Sequence, residues 1–157
     1  FISFYLIGFQ QYMPDMDTFL TKGTKSIPTD IPSQNKIFKA FGQAMKLATT
    51  IFERDAFRKI MIGKRQPINR SLFEVVSVHF AQLSHSDSEL LQSQKGRFID
   101  AFLEMQNEPG FMQSISTATA TKERVKKRHT DFLTLLERFG IRIPTQPSPN
   151  TQTNHND

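Results

Sequence analysis

One long apolar stretch constrains the fold of this chain more than any other feature. Within residues 68–83, large apolar side chains recur at steps of three and four: Leu72, Val75, Val76, Phe80 and Leu83. This spacing puts them on one side of an α-helix. Phe73 and Val78 lie off that stripe, so the apolar surface extends well around the helix axis. We therefore predict a central helix at about 69–83 that other helices cover on several sides.

The rest of the chain also carries helical periodicity, and no segment shows the strict alternation of a half-buried strand. Asp15, Ser33 and Asn69 are expected to cap the helices that follow them, because their side-chain oxygens can accept from free amides. An interruption is expected near Gly96. The expected helices and shorter helical turns lie at about 2–12, 16–26, 34–53, 55–62, 69–83, 86–106, 111–115 and 122–139.

These elements predict an all-α fold, a single orthogonal bundle of about six or seven helices around the central helix. A chain of 157 residues suits one domain with a sizeable core. We place the helical domain at residues 1–140, because Gly140 is a suitable helix stop. Residues 141–157 are rich in Pro, Thr, Gln and Asn, and we expect a flexible tail there.

Composition excludes several classes of protein. The chain has no cysteine, which rules out a disulfide framework or a thiolate metal site and fits a cytoplasmic protein. The apolar opening, residues 1–9, is far shorter than the roughly 20 residues that a membrane span needs. Because the chain begins at Phe1 and not at methionine, we expect it to be part of a longer protein. We predict a cytoplasmic location and no membrane partner.

Positive charge is concentrated in two stretches. Residues 54–70 hold six basic residues against one acid, Asp55, and residues 122–128 hold five against one acid, Glu123. Local positive fields of this kind favour polyanions or an acidic protein surface. The simpler interpretation, that these are two solvated helix ends, stays open.

The best local candidate for a binding site is the start of the last predicted helix. Helix starts normally favour acids, because the free amides make that end positive. Here cations lie on the positive end, with threonine hydroxyls beside them, and a phosphate or a nucleic-acid backbone would relieve the repulsion. The alternative is that the lysines extend into water and that one arginine, Arg128, pairs with an acid. The candidate contacts are Thr119, Thr121, Lys122, Arg124, Lys126, Lys127 and Arg128, extended by Lys64, Arg65 and Arg70 if the two stretches adjoin.

No catalytic constellation is recognisable. No two of the four histidines are spaced to make a zinc site, and the common phosphate-binding and nucleophile motifs are missing. His79, on the central helix, is expected to be a hydrogen-bonded residue near the core. We therefore predict no catalytic residue, no metal and no cofactor for this chain.

Four blocks resemble a known family: Phe9–Leu20, Phe52–Arg58, Asn69–Ser84 and Phe111–Arg128. Together they are similar to the helical C-terminal part of the N-terminal domain of GmrSD-type, modification-dependent restriction endonucleases. That domain of unknown function is described as ParB/sulfiredoxin-like. The resemblance covers about residues 1–139. It departs from the family at Ala118 and Ala120, where the family has a glycine-containing turn.

The resemblance implies a prokaryotic protein of phage defence or DNA processing. In that family a ParB-like half with an Asp-Gly-Gln-Gln-Arg type motif is credited with nucleotide binding and hydrolysis, and an HNH nuclease domain often follows. This chain contains neither that motif nor the HNH nuclease domain. Our first hypothesis is therefore a helical accessory module that partners an N-terminal ParB-like half and helps to hold DNA or nucleotide, the parent being the NTPase or nuclease. The alternative is a protein–protein interaction module whose basic patches meet an acidic partner. The oligomeric state stays open.

Overall fold

The computed structural model describes residues 1–144, and within this range the fold is all-α, as predicted. These residues form no strand, although an isolated bridge joins Arg58 to Ile68. Two short 3-10 helices lie at Phe9–Gln11 and Glu53–Asp55. The α-helices are α1 (Ile2–Ile7), α2 (Met16–Lys25), α3 (Ile31–Phe52), α4 (Arg70–Phe80), α5 (His85–Ser93), α6 (Lys95–Asn107), α7 (Pro109–Ser114) and α8 (Lys122–Glu137).

The predicted central helix is α4, and it is covered on several sides. The side chain of Asn69 accepts a hydrogen bond of 2.9 Å from the amide of Leu72, which confirms the predicted cap. Eight of the eleven residues of α4 are buried. Helices α1, α3 and α8 pack against it. The helix ends at Phe80, a few residues before the predicted end, because the chain turns there towards α5.

Helix α3 begins earlier than predicted. The carboxylate of Asp30 accepts a hydrogen bond of 2.8 Å from the amide of Ser33, so Asp30 is the cap and the prediction for Ser33 was wrong. Pro32 lies in the first turn, where a missing amide donor costs nothing. Ala40, Ala44 and Ala48 of this helix are buried, which leaves a thin ridge on the side that faces the core.

Other predicted boundaries shift where the chain turns sharply. The first predicted helix breaks at Gly8, which has a φ of 88°. The predicted 86–106 helix splits at Gln94 into α5 and α6, and α5 begins with a capping box between Ser84 and Asp87. The predicted cap Asp15 is confirmed, because its carboxylate accepts from the amide of Thr18.

The predicted helical turn at 55–62 is wrong. Only Glu53–Asp55 is helical there; the chain then turns at residues 56–57, where Phe57 has a φ of 61°, before the bridge between Arg58 and Ile68. The amide of Asn69 donates to the carbonyl of Phe57 at 2.8 Å, so residues 57–69 close into a long loop whose tip lies near Gly63. Long-range pairing outweighs the weak local helical pattern in this segment.

The core has two parts. Aromatic rings fill much of the main part, where the ring of Phe80 lies 5.8 Å from Phe132 and 6.3 Å from Phe98. A smaller part joins α1 and α2 to α4 and α8; it consists of Phe4, Tyr12, Phe19, Val78 and Val125. The opening helices are therefore fixed on the bundle by buried side chains.

The helical body extends past the predicted boundary at residue 140. Gly140 has a φ of 78°, as a helix stop requires. Ile141 is 1% exposed, and Ile143 also packs on the core, so the predicted tail begins too early. Its remainder, 145–157, lies outside the described residues. Among residues 1–144, no helix is both long and apolar enough to cross a membrane.

Candidate functional site

The structure brings the first basic stretch, residues 54–70, against the segment that precedes the second. Lys59 Nζ donates a hydrogen bond of 2.6 Å to Ser116 Oγ. Asn69 Nδ2 donates one of 2.7 Å to the carbonyl of Ile115. The base of the 57–69 loop therefore lies against the segment that leads into α8. Because Asn69 also caps α4, the N-termini of α4 and α8 lie at the same end of the molecule, which the sequence alone could not show.

Five of the predicted contacts are exposed cations with no acidic partner among residues 1–144: Lys64, Arg65, Arg70, Lys122 and Lys126. They do not all lie together. Arg65 turns back and donates to the carbonyl of Arg54 at 3.2 Å, and no hydrogen bond among residues 1–144 joins the loop tip to α8. Arg70, by contrast, opens α4 beside the segment that leads into α8.

The remaining candidates on α8 are engaged by neighbouring side chains. Arg124 donates to the amide oxygen of Gln113 at 2.8 Å. Lys127 pairs with Asp131 at 2.7 Å, one helical turn away. Such exposed i,i+4 pairs contribute only about 0.3–0.5 kcal/mol, so this lysine remains available to a stronger anion.

The turn before α8 uses its threonines for structure. Thr121 Oγ1 accepts a hydrogen bond of 3.3 Å from the amide of Arg124 and so caps the helix. Thr119 is half-buried, and its carbonyl is also engaged. Ala118 has a φ of 48°, a left-handed conformation that glycine adopts at lower cost. The hydroxyl of Tyr12 donates to the carbonyl of Ala120, which ties this turn to the opening helices.

Arg128 is not a surface contact, and its prediction as a polyanion ligand is wrong. The side chain is 1% exposed. Its guanidinium donates to Glu74 Oε1 at 2.7 and 2.8 Å and, through Nη1, to the carbonyl of Thr119 at 2.7 Å and that of Ser114 at 3.3 Å. The alternative, that Arg128 pairs with an acid, is confirmed. A buried arginine needs such a full set of acceptors, because an unpaired charge in the interior is very costly.

Two histidines continue this buried network. His129 Nε2 lies 3.0 Å from Glu74 Oε1, and His129 Nδ1 lies 2.9 Å from His79 Nε2. Burial lowers the pKa of both imidazoles well below the usual value, helped by His129 beside His79 and by Arg128 beside His129. Burial also raises the pKa of Glu74 to about 6, against the opposing pull of Arg128. Above that pH the network holds one ion pair and two neutral imidazoles.

These protonation states fix the direction of every hydrogen bond in the network. An ionised Glu74 can only accept, so His129 Nε2 carries the proton and its Nδ1 accepts from His79 Nε2. His79 Nδ1 is then a bare acceptor, and it has no partner among the protein atoms of residues 1–144. The ring lines a cavity of about 20 Å³ together with Gly8 and Phe9, which is room for one water molecule and not for a substrate.

The opening segment closes this network from water. The ring of Phe9 stacks on His129 at 4.6 Å, and that of Phe4 does so at 5.2 Å. His79 is therefore fully interior, further from solvent than the predicted position near the core. The network joins α4, α8 and the turn before α8 in the interior.

Sequence reasoning missed Glu74 as the partner of Arg128, although a signal exists. Glu74 is the only acid between residues 71 and 83 and lies within the most apolar helix. Within residues 1–144, no group of three or more His, Cys, Asp or Glu side chains is arranged to hold a metal ion. Comparisons of the chain with protein-family models, curated proteins and solved structures find no match. What the chain does must therefore be inferred from the geometry of its surface.

Proposed function

We propose that this chain is a helical accessory module of a prokaryotic ParB-like DNA-processing or phage-defence protein. In this proposal its basic surface helps to hold DNA or nucleotide for a catalytic half of the parent protein. The basic surface consists of Lys59, Arg70, Lys122, Arg124 and Lys126. The observation that carries the proposal is the pair of hydrogen bonds from Lys59 and Asn69 that holds the first basic stretch against residues 115–116, just before the second. The resemblance to GmrSD-type proteins supports the class of parent.

The arrangement of α4 and α8 supports one surface made from both stretches. Arg128 and Glu74 join the two helices in the interior. Arg70 lies one turn before Glu74, and Arg124 lies one turn before Arg128. Each of these two cations is therefore one turn closer to the N-terminus of its helix than the buried Arg128–Glu74 pair. Both helix starts carry positive dipole ends as well as cations. Phosphates that bind there would release counterions, and the affinity would depend on salt and not on base sequence.

A salt-dependent DNA titration tests this proposal. We expect labelled duplex DNA to bind the chain with an affinity that falls steeply as NaCl is raised. Arg70→Glu with Lys126→Glu removes one cation from each stretch at helical positions that accept glutamate. The slope of log affinity against log salt should fall by about 1 for each phosphate that the variant no longer neutralises. Fluorescence anisotropy measures both quantities.

The matched control is Lys46→Glu with Arg142→Glu, which makes the same charge change at exposed positions outside the basic surface. The proposal requires the control to retain most of the affinity and the slope. Equal losses in the two variants would show a general effect of net charge and would contradict a defined surface.

A protein partner is the alternative, and one observation favours it. Glu123 lies among the cations and Asp131 pairs with Lys127, and these two acids weaken the positive field that a phosphate backbone would meet. Mixed charge is common at the rims of protein interfaces. In this alternative the basic patches meet an acidic protein surface, and the titration would show no DNA affinity even at low salt.

A further inference from the structure

Two groups of exposed apolar side chains differ in what surrounds them. An open groove of about 950 Å³ runs between α1, α2 and α3; Leu20 and Phe38 line it, and no charged side chain of residues 1–144 does. The other group is at the tip of the 57–69 loop, where Ile62 is fully exposed and Met61 is 57% exposed. Cations lie on both sides of this tip in the sequence, so charge as well as shape selects its partner.

The 57–69 loop is strongly basic and contains no acid. Its thirteen residues hold four cations, Arg58, Lys59, Lys64 and Arg65, and no Asp or Glu. None of these four forms an ion pair among residues 1–144. An uncompensated positive charge of this density complements a polyanion better than it complements a protein surface of mixed charge.

The base of the loop is fixed to the helical body. The amide of Ile60 donates to Gln106 Oε1 at 2.8 Å, and Gln106 Nε2 donates to the carbonyl of Ile60 at 2.9 Å. Phe57 packs on the core, where its ring lies 5.0 Å from that of Phe73. The tip stands clear of the body, because a Cβ added at Gly63 would meet nothing within 4 Å. An anchored loop loses less conformational entropy on binding than a free one.

The side chains that follow the tip are available to a polyanion. Lys64, Arg65 and Gln66 come directly after Gly63. Among residues 1–144, Lys64 Nζ has no hydrogen-bond partner, and Arg65 uses only Nε and Nη2, on the carbonyl of Arg54. Architectural proteins enter the minor groove of DNA with such a set: aliphatic wedges such as Ile and Met, and Lys, Arg or Gln beside them.

We propose that Met61 and Ile62 insert into the minor groove of duplex DNA, where they partly unstack one base step and kink the duplex. The inference rests on the proposed function, because the same duplex would lie along the basic surface. Lys59 belongs both to that surface and to the 57–69 loop, and its bond to Ser116 holds the two together. The loop thus adds a deforming contact to a surface that otherwise meets only phosphates.

An anionic membrane is the competing polyanion for such a tip. A single myristoyl chain gives only marginal membrane binding, and two aliphatic side chains bury less apolar surface than that chain. A base step, in contrast, is unstacked by wedges of this small size. The size of the tip therefore favours DNA, and vesicles enter the test as the other partner.

A DNA duplex of about 20 base pairs tests the inference on the complete 157-residue chain. It carries 2-aminopurine in a central TA step, which is easily kinked, and a dye at each end. Unstacking raises the aminopurine fluorescence, and a kink of about 20–90° raises energy transfer between the dyes. We expect both signals to rise on binding, with the affinity measured in parallel by fluorescence anisotropy.

Variants of the loop then separate the wedge from the charge. Met61→Ser with Ile62→Ser removes the wedge and no cation, so both signals should be lost at saturating protein, and the affinity should fall about tenfold. The melting temperature should not fall, because both side chains are exposed. The matched control is Ile31→Ser with Phe38→Ser, at two exposed apolar positions of α3, and it should keep both signals.

Lys64→Gln gives the reverse pattern. It removes a cation and leaves the wedge, so the slope of log affinity against log salt should fall by about 1. Both signals should persist once the protein is saturating.

The outcomes distinguish this inference from the proposed function. Salt-dependent binding with neither signal would overturn the wedge and leave the proposed function standing, and so would equal losses in the two double-serine variants. No binding at low salt would overturn both. Binding of phosphatidylserine vesicles that Met61→Ser with Ile62→Ser abolishes, without an aminopurine signal on DNA, would assign the tip to a membrane surface.

Discussion

Two regions of the molecule place polar and apolar side chains in opposite ways: the contact between α4 and α8, and the groove between α1, α2 and α3. The first buries an arginine, a glutamate and two histidines, and the second exposes phenylalanine, leucine and isoleucine. In the buried network almost every polar atom finds a partner inside the chain, so it needs nothing from outside. In the groove the apolar surface has no partner within residues 1–144. The difference teaches that buried charges or exposed apolar side chains indicate a binding site only where the chain itself supplies them with no partner.

Arg128→Met would disrupt the buried network between α4 and α8, and it should have the largest effect on stability. It leaves the carboxylate of Glu74 buried without its cation, and we expect the free energy of unfolding to fall by about 3–5 kcal/mol. Adding Glu74→Gln removes that stranded charge, so the double variant should recover much of the loss. Urea denaturation measures all of these values.

The control for Arg128 is Arg138→Met, which removes an exposed pair with Glu104. Because exposed pairs contribute little, its effect should stay below about 1 kcal/mol. If both methionine variants cost the same, the buried network does not have the role that we assign to it.

Gly23→Ala would disturb the wall of the groove. A Cβ atom at this position would overlap Ser3 Oγ and lie 2.5 Å from Ser3 Cα, so α1 must move. We expect a loss of about 1–3 kcal/mol in unfolding free energy, as for overpacked cores. Gly42→Ala in α3 is the matched control, because nothing lies within 4 Å of its added Cβ. That control should instead gain up to about 1 kcal/mol, and a gain at both glycines would refute the tight α1–α2 contact.

The dependence of stability on pH tests the buried network through its two histidines. The unfolded chain binds a proton on each of His79 and His129 below the usual pKa near 6.5, whereas the folded chain keeps both neutral. Glu74 works in the opposite direction, because its folded pKa of about 6 lies above the unfolded 4.5 and favours the folded state as pH falls between these values.

Two histidines against one carboxyl leave the unfolded chain with about one extra proton near pH 5.5. Stability should therefore fall between pH 7.5 and 5.5, by roughly 1 kcal/mol per pH unit. Urea denaturation at several pH values measures this slope, and ¹⁵N NMR reports the imidazoles. We expect both rings to stay neutral with the proton on Nε2, and a protonated ring in the folded chain at pH 5.5 would disprove this network.

Much of the architecture follows from local patterns in the sequence. The period of three and four predicts α4 and its burial, and the caps at Asp15 and Asn69 follow from side chains that can accept from free amides. Boundaries were wrong where two candidates competed, as when Asp30 caps α3 in place of Ser33. The course of residues 57–69 could not be predicted, because it depends in part on hydrogen bonds from distant parts of the chain, such as the two between Ile60 and Gln106.

The candidate sites were less accessible to prediction than the fold. A count of charges finds the basic stretches, but it cannot separate the interior Arg128 from the exposed Lys126 two positions earlier. Helical phase does separate them, because Arg128 lies three residues after Val125 and four before Phe132, on the buried stripe of α8. The groove could not be predicted, because Leu20 and Phe38 have the spacing of core residues. Their exposure depends on where α1, α2 and α3 end relative to one another.

The stacking of Phe4 and Phe9 on His129 has a consequence for how the chain can be shortened. A truncation that removes the first dozen residues would remove both of these rings and expose the imidazoles of His79 and His129 to solvent. Solvated imidazoles gain protons below about pH 6.5, so acid would then place positive charge beside the Arg128 cation between α4 and α8. By excluding water, the opening segment thus keeps the imidazole of His129 neutral, although this residue belongs to α8, near the other end of the described chain.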